Sequence, residues 1–311
     1  MMRKALLWLS EQQQVFRFVR QNGLARKFAA RFVAGESVET AIVAARALNV
    51  RRITATLDLL GESVTQASEA GRARDTYLQM LDAIAREQVD SNVSVKLTQM
   101  GFDIAEDTCF ANMSAILDRA KAGQSFVRVD MESSAYTQRT LDFFYQRLFP
   151  AYGPHVGVVI QSCLRRSAAD VDTLIERDIR VRLCKGAYLE PPDVAFPDKA
   201  DVDRSYVALM ERLMERGNYP GIATHDEQII IHARRFAAEK KIDPARFEFQ
   251  MLYGVRRDLQ DRLRADGFNV RVYIPFGTQW YPYLMRRLAE RPANIAFIIG
   301  NVIREAVSPR Q

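Results

Sequence analysis

Several short apolar runs carry charge or an amide where a purely structural strand would be apolar. Lys96 lies between Val95 and Leu97, and Arg128 and Asp130 alternate with Val127, Val129 and Met131. Gln161 stands near the end of the run 156–162, and Arg182 lies between Val181 and Leu183. Side chains alternate faces along a strand, so the Val and Leu set points one way and the polar set the other. A buried charge is tolerated only when it is paired or serves a ligand. An internal ion pair such as Lys96–Asp130 is the plain reading, and a ligand site is the sharper one. Polarity at the C-terminal ends of several strands favours the site.

A second group lies near the C-terminus. Tyr283, Arg286, Arg287 and Glu290 fall at i, i+3, i+4 and i+7 after Pro282, which suits one face of a helix that starts near that proline. Two guanidinium forks side by side match a carboxylate or a phosphate through bidentate hydrogen bonds, and Glu290 could hold either one. The chain has four other Arg-Arg pairs, at 51–52, 165–166, 234–235 and 256–257, so the doublet alone singles nothing out. Its place after the last strand-like run does. Of the three histidines, His155 and His232 have surface readings, whereas His225 ends a run just before a helix start, where a phosphate oxygen would be welcome. No two histidines share ligand spacing, so no metal site is expected.

The elements that must position these residues recur regularly. Eight β-rich runs, at 53–61, 93–99, 126–131, 156–162, 179–186, 221–226, 247–254 and 269–277, alternate with amphipathic stretches that include 136–149, 200–216, 227–241 and 280–290. Parallel neighbours need a crossover each time, so this alternation predicts an α/β fold, a (βα)8 TIM-type barrel with extra N-terminal helices. A doubly wound open sheet is the runner-up, but Leu60-Gly61-Glu62-Ser63 after the first run lacks the Gly-rich phosphate turn. The expected organisation is a helical arm over residues 1–50, with Ser37 or Thr40 capping a helix that ends near Leu48, and a catalytic barrel over 51–311. The segment 189–203, with three prolines, reads as a long loop on the site's face.

Composition bounds the class. Of 311 residues 48% are hydrophobic, enough for a large core, and no apolar run reaches the ~20 residues of a membrane helix or the length of a secretory signal. Cys109, Cys163 and Cys184 are far apart and read as free thiols in a cytoplasmic protein. The net charge of +6 is concentrated: residues 1–52 hold ten Lys/Arg and three Asp/Glu, the rest 34 and 35. A solvated helical face accounts for that arm, and so does contact with an anionic membrane surface. No nucleic-acid recognition module is visible.

The motifs VSVKL (93–97), VRVDME (127–132), VIQS (159–162), VRLCKGAYLEP (181–191), ATHD (223–226), FEFQMLYGV (247–255), RVYIPFG (271–277) and WYPYLMRRLAERP (280–292), taken in order, resemble the proline dehydrogenase family. The likeness runs from about residue 30 to 300 and fits the small monofunctional bacterial branch better than the bifunctional form with an attached aldehyde dehydrogenase. It implies non-covalent FAD, oxidation of L-proline to Δ1-pyrroline-5-carboxylate by hydride transfer from C5 to flavin N5, and a quinone as electron acceptor. It also implies a cytoplasmic enzyme, with peripheral contact on the inner face of the membrane as a further expectation. By the same resemblance Lys96, Arg286 and Arg287 would hold the proline carboxylate, with Tyr273 against the ring and Leu252 and Tyr283 as walls. Arg182 would lie by flavin N5 and Gln161 by the pyrimidine. Met131 would pack on the cofactor, and Lys185, Gly186, Ala187, Thr224 and His225 would bind its pyrophosphate and adenosine part. Asp130 would be either a base or an orienting carboxylate.

The turn Ser162-Cys163-Leu164-Arg165 and the pair Thr278-Gln279 depart from the family's usual residues. The main rival is a Schiff-base lyase or aldolase that uses Lys96 as nucleophile on the same barrel. A non-enzymatic amino-acid-binding protein is a third reading, and it leaves the interior charges without a purpose.

Overall fold

The computed structural model describes residues 29–290, with side chains described as far as Met285. Within them eight parallel strands close a barrel in sequence order: β1 (Thr54–Leu59), β2 (Ser91–Val95), β3 (Val127–Val129), β4 (Val156–Gln161), β5 (Val181–Cys184), β6 (Gly221–Ala223), β7 (Glu248–Leu252) and β8 (Asn269–Phe276). β8 pairs with β1 over six residues, from Thr54↔Arg271 to Leu59↔Phe276, which seals the ring. All eight expected runs are strands. Most are shorter at their C-terminal ends than the sequence suggested, because the chain leaves the ladder to build the site. β2, for example, stops at Val95, and Leu97 leads into a 3-10 turn over Thr98–Met100.

Helices follow the strands in turn. They are α2 (Ala67–Arg86), α3 (Glu106–Ala122), α4 (Ser134–Phe143), α5 (Ser167–Glu176), α6 (Lys199–Arg216), α7 (Glu227–Glu239), α8 (Arg257–Ala265) and α9 (Trp280–Glu290), with α1 (Val38–Asn49) ahead of β1. Ser37 caps α1 through a capping box with Thr40, and α1 packs on β1, β8 and α2. α4 runs on through a π-turn, Phe144–Leu148, to Tyr152, so the helix expected over 136–149 is a composite. The long loop after β5 ends sooner than expected, because α6 begins at Lys199.

The alternation expected along the strands holds. Val93, Val95, Val127, Val129, Val181 and Leu183 are buried between sheet and helices, each stabilising the fold by about 1.5–3 kcal/mol. The other face fills the barrel with polar side chains in two tiers. Thr56, Asn92, Arg128, Glu248 and Arg271 lie toward the N-terminal ends of the strands, and Asp58, Ser94, Lys96, Asp130, Arg182, Gln250 and Tyr273 lie nearer the C-terminal ends. Two strands give up an inward side chain to admit them. A Cβ at Gly221 would fall 2.3 Å from the Gln250 amide nitrogen, and one at Gly157 would fall 2.5 Å from the Arg180 carbonyl. No helix among the described residues is long and apolar enough to cross a membrane.

Candidate active site

Lys96 stands one residue beyond β2, where the ladder has ended and the side chain can reach across the barrel mouth. Its Nζ lies 2.9 Å from Asp58 Oδ1 and 4.0 Å from Asp130 Oδ2. The expected Lys96–Asp130 pairing is thus secondary. β1 brings Asp58 closer, and closure of the β1–β2 ladder sets that geometry. Burial works against the ammonium, yet the two carboxylates outweigh it and hold Lys96 above the usual lysine range. Lys96 is therefore a fixed cation.

Asp130, the first residue after β3, is the hub. Oδ1 accepts hydrogen bonds from Ser94 Oγ at 2.6 Å and Arg182 Nη1 at 2.8 Å, and Oδ2 accepts one from the Tyr273 hydroxyl at 2.8 Å. The Arg182 guanidinium lies 5.2 Å from the Tyr273 ring centroid, in cation–π range. Its Nε donates to Gln250 Oε1 at 2.5 Å, so β3, β5, β7 and β8 are tied together in one buried network. Burial pushes the Tyr273 phenol well above the ordinary range, with the Asp130 and Asp58 charges adding to it, so it is a neutral donor.

Around β4 to β7 lies a second set. Gln161 donates from Nε2 to the backbone carbonyls of Met131 and Glu132, at 3.1 and 2.8 Å, which fixes the amide's orientation. Gly186 has φ +113°, and a Cβ there would fall 2.4 Å from Cys163 Sγ and 3.0 Å from Gln161 Oε1, so only glycine leaves bare backbone in this turn. Lys185 Nζ sits 2.6 Å from Asp203 and 2.8 Å from Asp226, with Lys199 also on both carboxylates. The two lysines hold the Asp203 and Asp226 carboxyls below the usual range even though partial burial works the other way. Thr224 Oγ1 accepts from the Asp226 amide, Asp226 caps α7, and His225 Nε2 accepts the Leu252 amide at 2.9 Å.

Lys96, Asp130, Arg182 and Tyr273 thus converge at one place. Met131 and Gln161 are in direct contact, and Lys185, Thr224, His225 and Leu252 cluster at the ends of β5–β7. Ala187 is half-buried in the turn that follows. Tyr283 is buried near the start of α9. It lies in a separate apolar cluster with Ala29, Val33, Leu60, Trp280, Tyr281, Leu284 and Met285. The backbone of α9 is described, whereas the side chains of Arg286, Arg287 and Glu290 lie outside the described residues. Cys163 and Cys184 are partly buried and form no disulfide.

Sequence reading passed over Asp58, Ser94, Glu132 and Gln250. The signal for Asp58 was present in Thr54-Ala55-Thr56-Leu57-Asp58, where the inward face is polar throughout. Gln250 carried the same signal between Phe249 and Met251. Glu132 lies past β3, and its carboxylate accepts from the Thr98 amide and hydroxyl. That contact depends on the 3-10 turn and has no sequence signature.

The profile of the family described as proline dehydrogenase matches residues 41–299. A proline dehydrogenase of Deinococcus radiodurans is 41% identical over 305 residues, covering 97% of this chain and 98% of that protein. Proline dehydrogenase 1 of Bacillus subtilis is 38% identical and covers 98% of this chain and all of its own length. Among solved structures, proline utilization A from Bdellovibrio bacteriovorus, inactivated by N-propargylglycine, superposes with a TM-score of 0.80 at 26% identity, over 89% of this chain and 34% of that longer one. The rival lyase reading is also disfavoured by geometry, since Asp58 at 2.9 Å and Asp130 at 4.0 Å favour the Lys96 ammonium over the free amine that a Schiff base needs. This chain belongs to the proline dehydrogenase family and is an oxidoreductase acting on proline.

Proposed function

We propose that the protein oxidises L-proline to Δ1-pyrroline-5-carboxylate with non-covalently bound FAD, and that a quinone takes the electrons onward. The flavin, when bound, supplies the acceptor for the hydride that leaves proline C5. The observation that carries this reading is the buried Lys96–Asp130–Arg182–Tyr273 constellation at the barrel mouth, inside a proline dehydrogenase fold.

The chain's own residues fit such a cofactor. Arg182 offers a fixed cation beside the place where the flavin ring would lie, and Gln161 is an amide already oriented by two carbonyls. The Gly186 turn keeps backbone bare next to Gln161. Lys185, Lys199 and the N-terminus of α7 offer donors to a pyrophosphate. Two carboxylates accompany those two ammonium groups, so directed hydrogen bonds, not net charge, are what this cluster supplies.

For proline, Lys96 with Arg286 and Arg287 would hold the carboxylate, and the ring would pack on Tyr273, with Leu252 and Tyr283 as walls. Several contacts on a small substrate fix its reacting hydrogen and lower the entropic barrier. Three hydrogen bonds, from Ser94, Arg182 and Tyr273, hold the Asp130 carboxylate in place, so we assign it the orienting role and not that of the base. The basic arm over residues 1–52 suits contact with an anionic membrane, where a quinone would reside.

The test is turnover with a soluble quinone under anaerobic conditions. Equal amounts of pyrroline product and reduced quinone are expected. A colourless protein that forms no pyrroline and becomes trapped on a ketone substrate by borohydride would contradict the reading.

A further inference from the structure

The lower tier of the barrel has a charge imbalance that the proposed reaction does not use. A cavity of about 60 Å³ opens there, and Arg128, Arg180, Arg182 and Arg271 line it with a single carboxylate, Glu248. That volume exceeds the ~10–15 Å³ that one water needs, so an ion somewhat larger than water fits.

The partners of these groups leave a definite gap. Glu248 is committed to one side. Its Oε1 accepts from Arg271 Nε at 2.8 Å and Gln250 Nε2 at 2.6 Å, and its Oε2 accepts from Tyr219 at 3.3 Å. Arg182 is neutralised from above by Asp130 at 2.8 Å. Arg128 and Arg180 form no ion pair with a described residue, and the Nε of each is buried without a hydrogen-bond partner. Arg128 is only 3% exposed. Its Nη1 is spent on two backbone carbonyls, of Val158 and Arg180, which cancel no charge. Both guanidinium groups lie over the Phe126 ring, Arg128 at 4.7 Å and Arg180 at 4.4 Å, and Arg180 also over Tyr219 at 4.9 Å, and such rings are weak substitutes for an anion. Burial, with the neighbouring arginines adding to it, holds Arg128 well below the usual range. Arginine nonetheless stays charged in proteins.

The fold makes room for this cluster at a cost. A Cβ at Gly157 would fall 2.7 Å from Arg128 Nη1 and 2.7 Å from the Phe126 ring, so β4 surrenders a side chain to admit the Arg128 guanidinium and that ring. An isolated buried cation is expensive, and a cavity bordered by the buried Arg128 and the partly buried Arg180 is chemically an anion receptor.

We propose that this cavity, at the N-terminal end of the barrel, binds a small inorganic monoanion of the halide class between Arg128 and Arg180. It is separate from the proline site and lies beneath it. Arg182 borders both, so the anion completes the electrostatic floor on which the upper network rests.

The experiment is thermal unfolding of the full-length protein as purified, in sodium gluconate progressively replaced by sodium chloride or bromide at constant ionic strength. A ligand bound by the native state alone raises the midpoint in a saturable way. A rise of about 2 °C or more is expected in both halides. Arg128→Met should abolish that response, and Arg180→Met should shift its half-saturation at least about tenfold to higher halide. Equal midpoints in gluconate and chloride, or an unaltered response in a folded variant, would overturn the proposal. Should Arg128→Met not fold, Arg180→Met and a crystal grown in bromide still decide it. An anomalous peak within hydrogen-bond reach of Arg128 Nε is expected, and its absence contradicts the assignment.

Discussion

The Lys96 ammonium lies 2.9 Å from the Asp58 carboxylate, and both side chains are nearly withdrawn from water. Removing one partner of such a pair leaves an uncompensated buried charge, which costs about 3–5 kcal/mol. Asp58→Asn should therefore lower stability toward urea by roughly that amount, with Asp130 offsetting part of it at 4.0 Å. The double variant Asp58→Asn/Lys96→Met should recover most of the loss. Denaturant midpoints of the four proteins check this, and additive losses would show that the two groups do not act as a pair.

Tyr273 donates to Asp130, and Arg182 approaches the same carboxylate from another strand. Tyr273→Phe keeps the ring and removes one charge-assisted hydrogen bond worth about 1.5–3 kcal/mol. A fall in kcat/KM for proline of roughly 10- to 100-fold is expected from steady-state kinetics. Asp130→Asn should lower the rate further yet leave the shape of the pH–rate profile intact, because an orienting group contributes no acid limb. Disappearance of an acid limb in that variant would make Asp130 the base.

The pH dependence of stability has two predictable ends. Lys96 is held above its unfolded value, so its contribution is complete below about pH 10 and is lost only as pH rises through the higher folded value. Asp203 and Asp226 are held below theirs, so their contribution is complete above about pH 4 and is lost as pH falls through the lower folded values. Thermal midpoints between pH 6 and 9 should not respond to either group. Asp226→Asn should flatten the fall in midpoint below pH 4.

The α9 arginine pair is the substrate clamp in the proposed function. Arg286→Lys and Arg287→Lys keep the charge and lose the bidentate fork. Each should raise the KM for proline by about tenfold, a loss of roughly 1.4 kcal/mol, with a smaller effect on kcat. Unchanged KM in both variants would remove the pair from the substrate site.

Gly186→Ala places a Cβ 2.4 Å from Cys163 Sγ at a residue whose φ is +113°. The turn beside Gln161 must then shift. The variant should fold but retain less flavin after purification, as judged by its visible absorbance relative to wild type. Full retention would separate this turn from the cofactor.

The strand register was legible because it follows from a period-2 pattern. Val127, Val129, Val181 and Leu183 had to face helices, which turned Arg128 and Arg182 inward whatever the family. Identity of partners was less accessible. Lys96 could be read as a buried cation but not as the partner of Asp58, because that depends on how far β2 runs before it leaves the ladder. The same limit hid Glu132, which meets Thr98 only through a 3-10 turn. Tyr283 meets the same limit, since motif order proposes it as a pocket wall but does not foretell its packing among Trp280, Tyr281 and Leu60.

Anaerobic addition of L-proline to the purified protein, followed by visible absorbance, tests the central claim most directly. The proposed function predicts that the flavin band bleaches with one proline oxidised per flavin, and that Lys96→Met requires at least about tenfold more proline for half the effect. A protein without flavin absorbance, or a band that proline leaves unchanged, would contradict it.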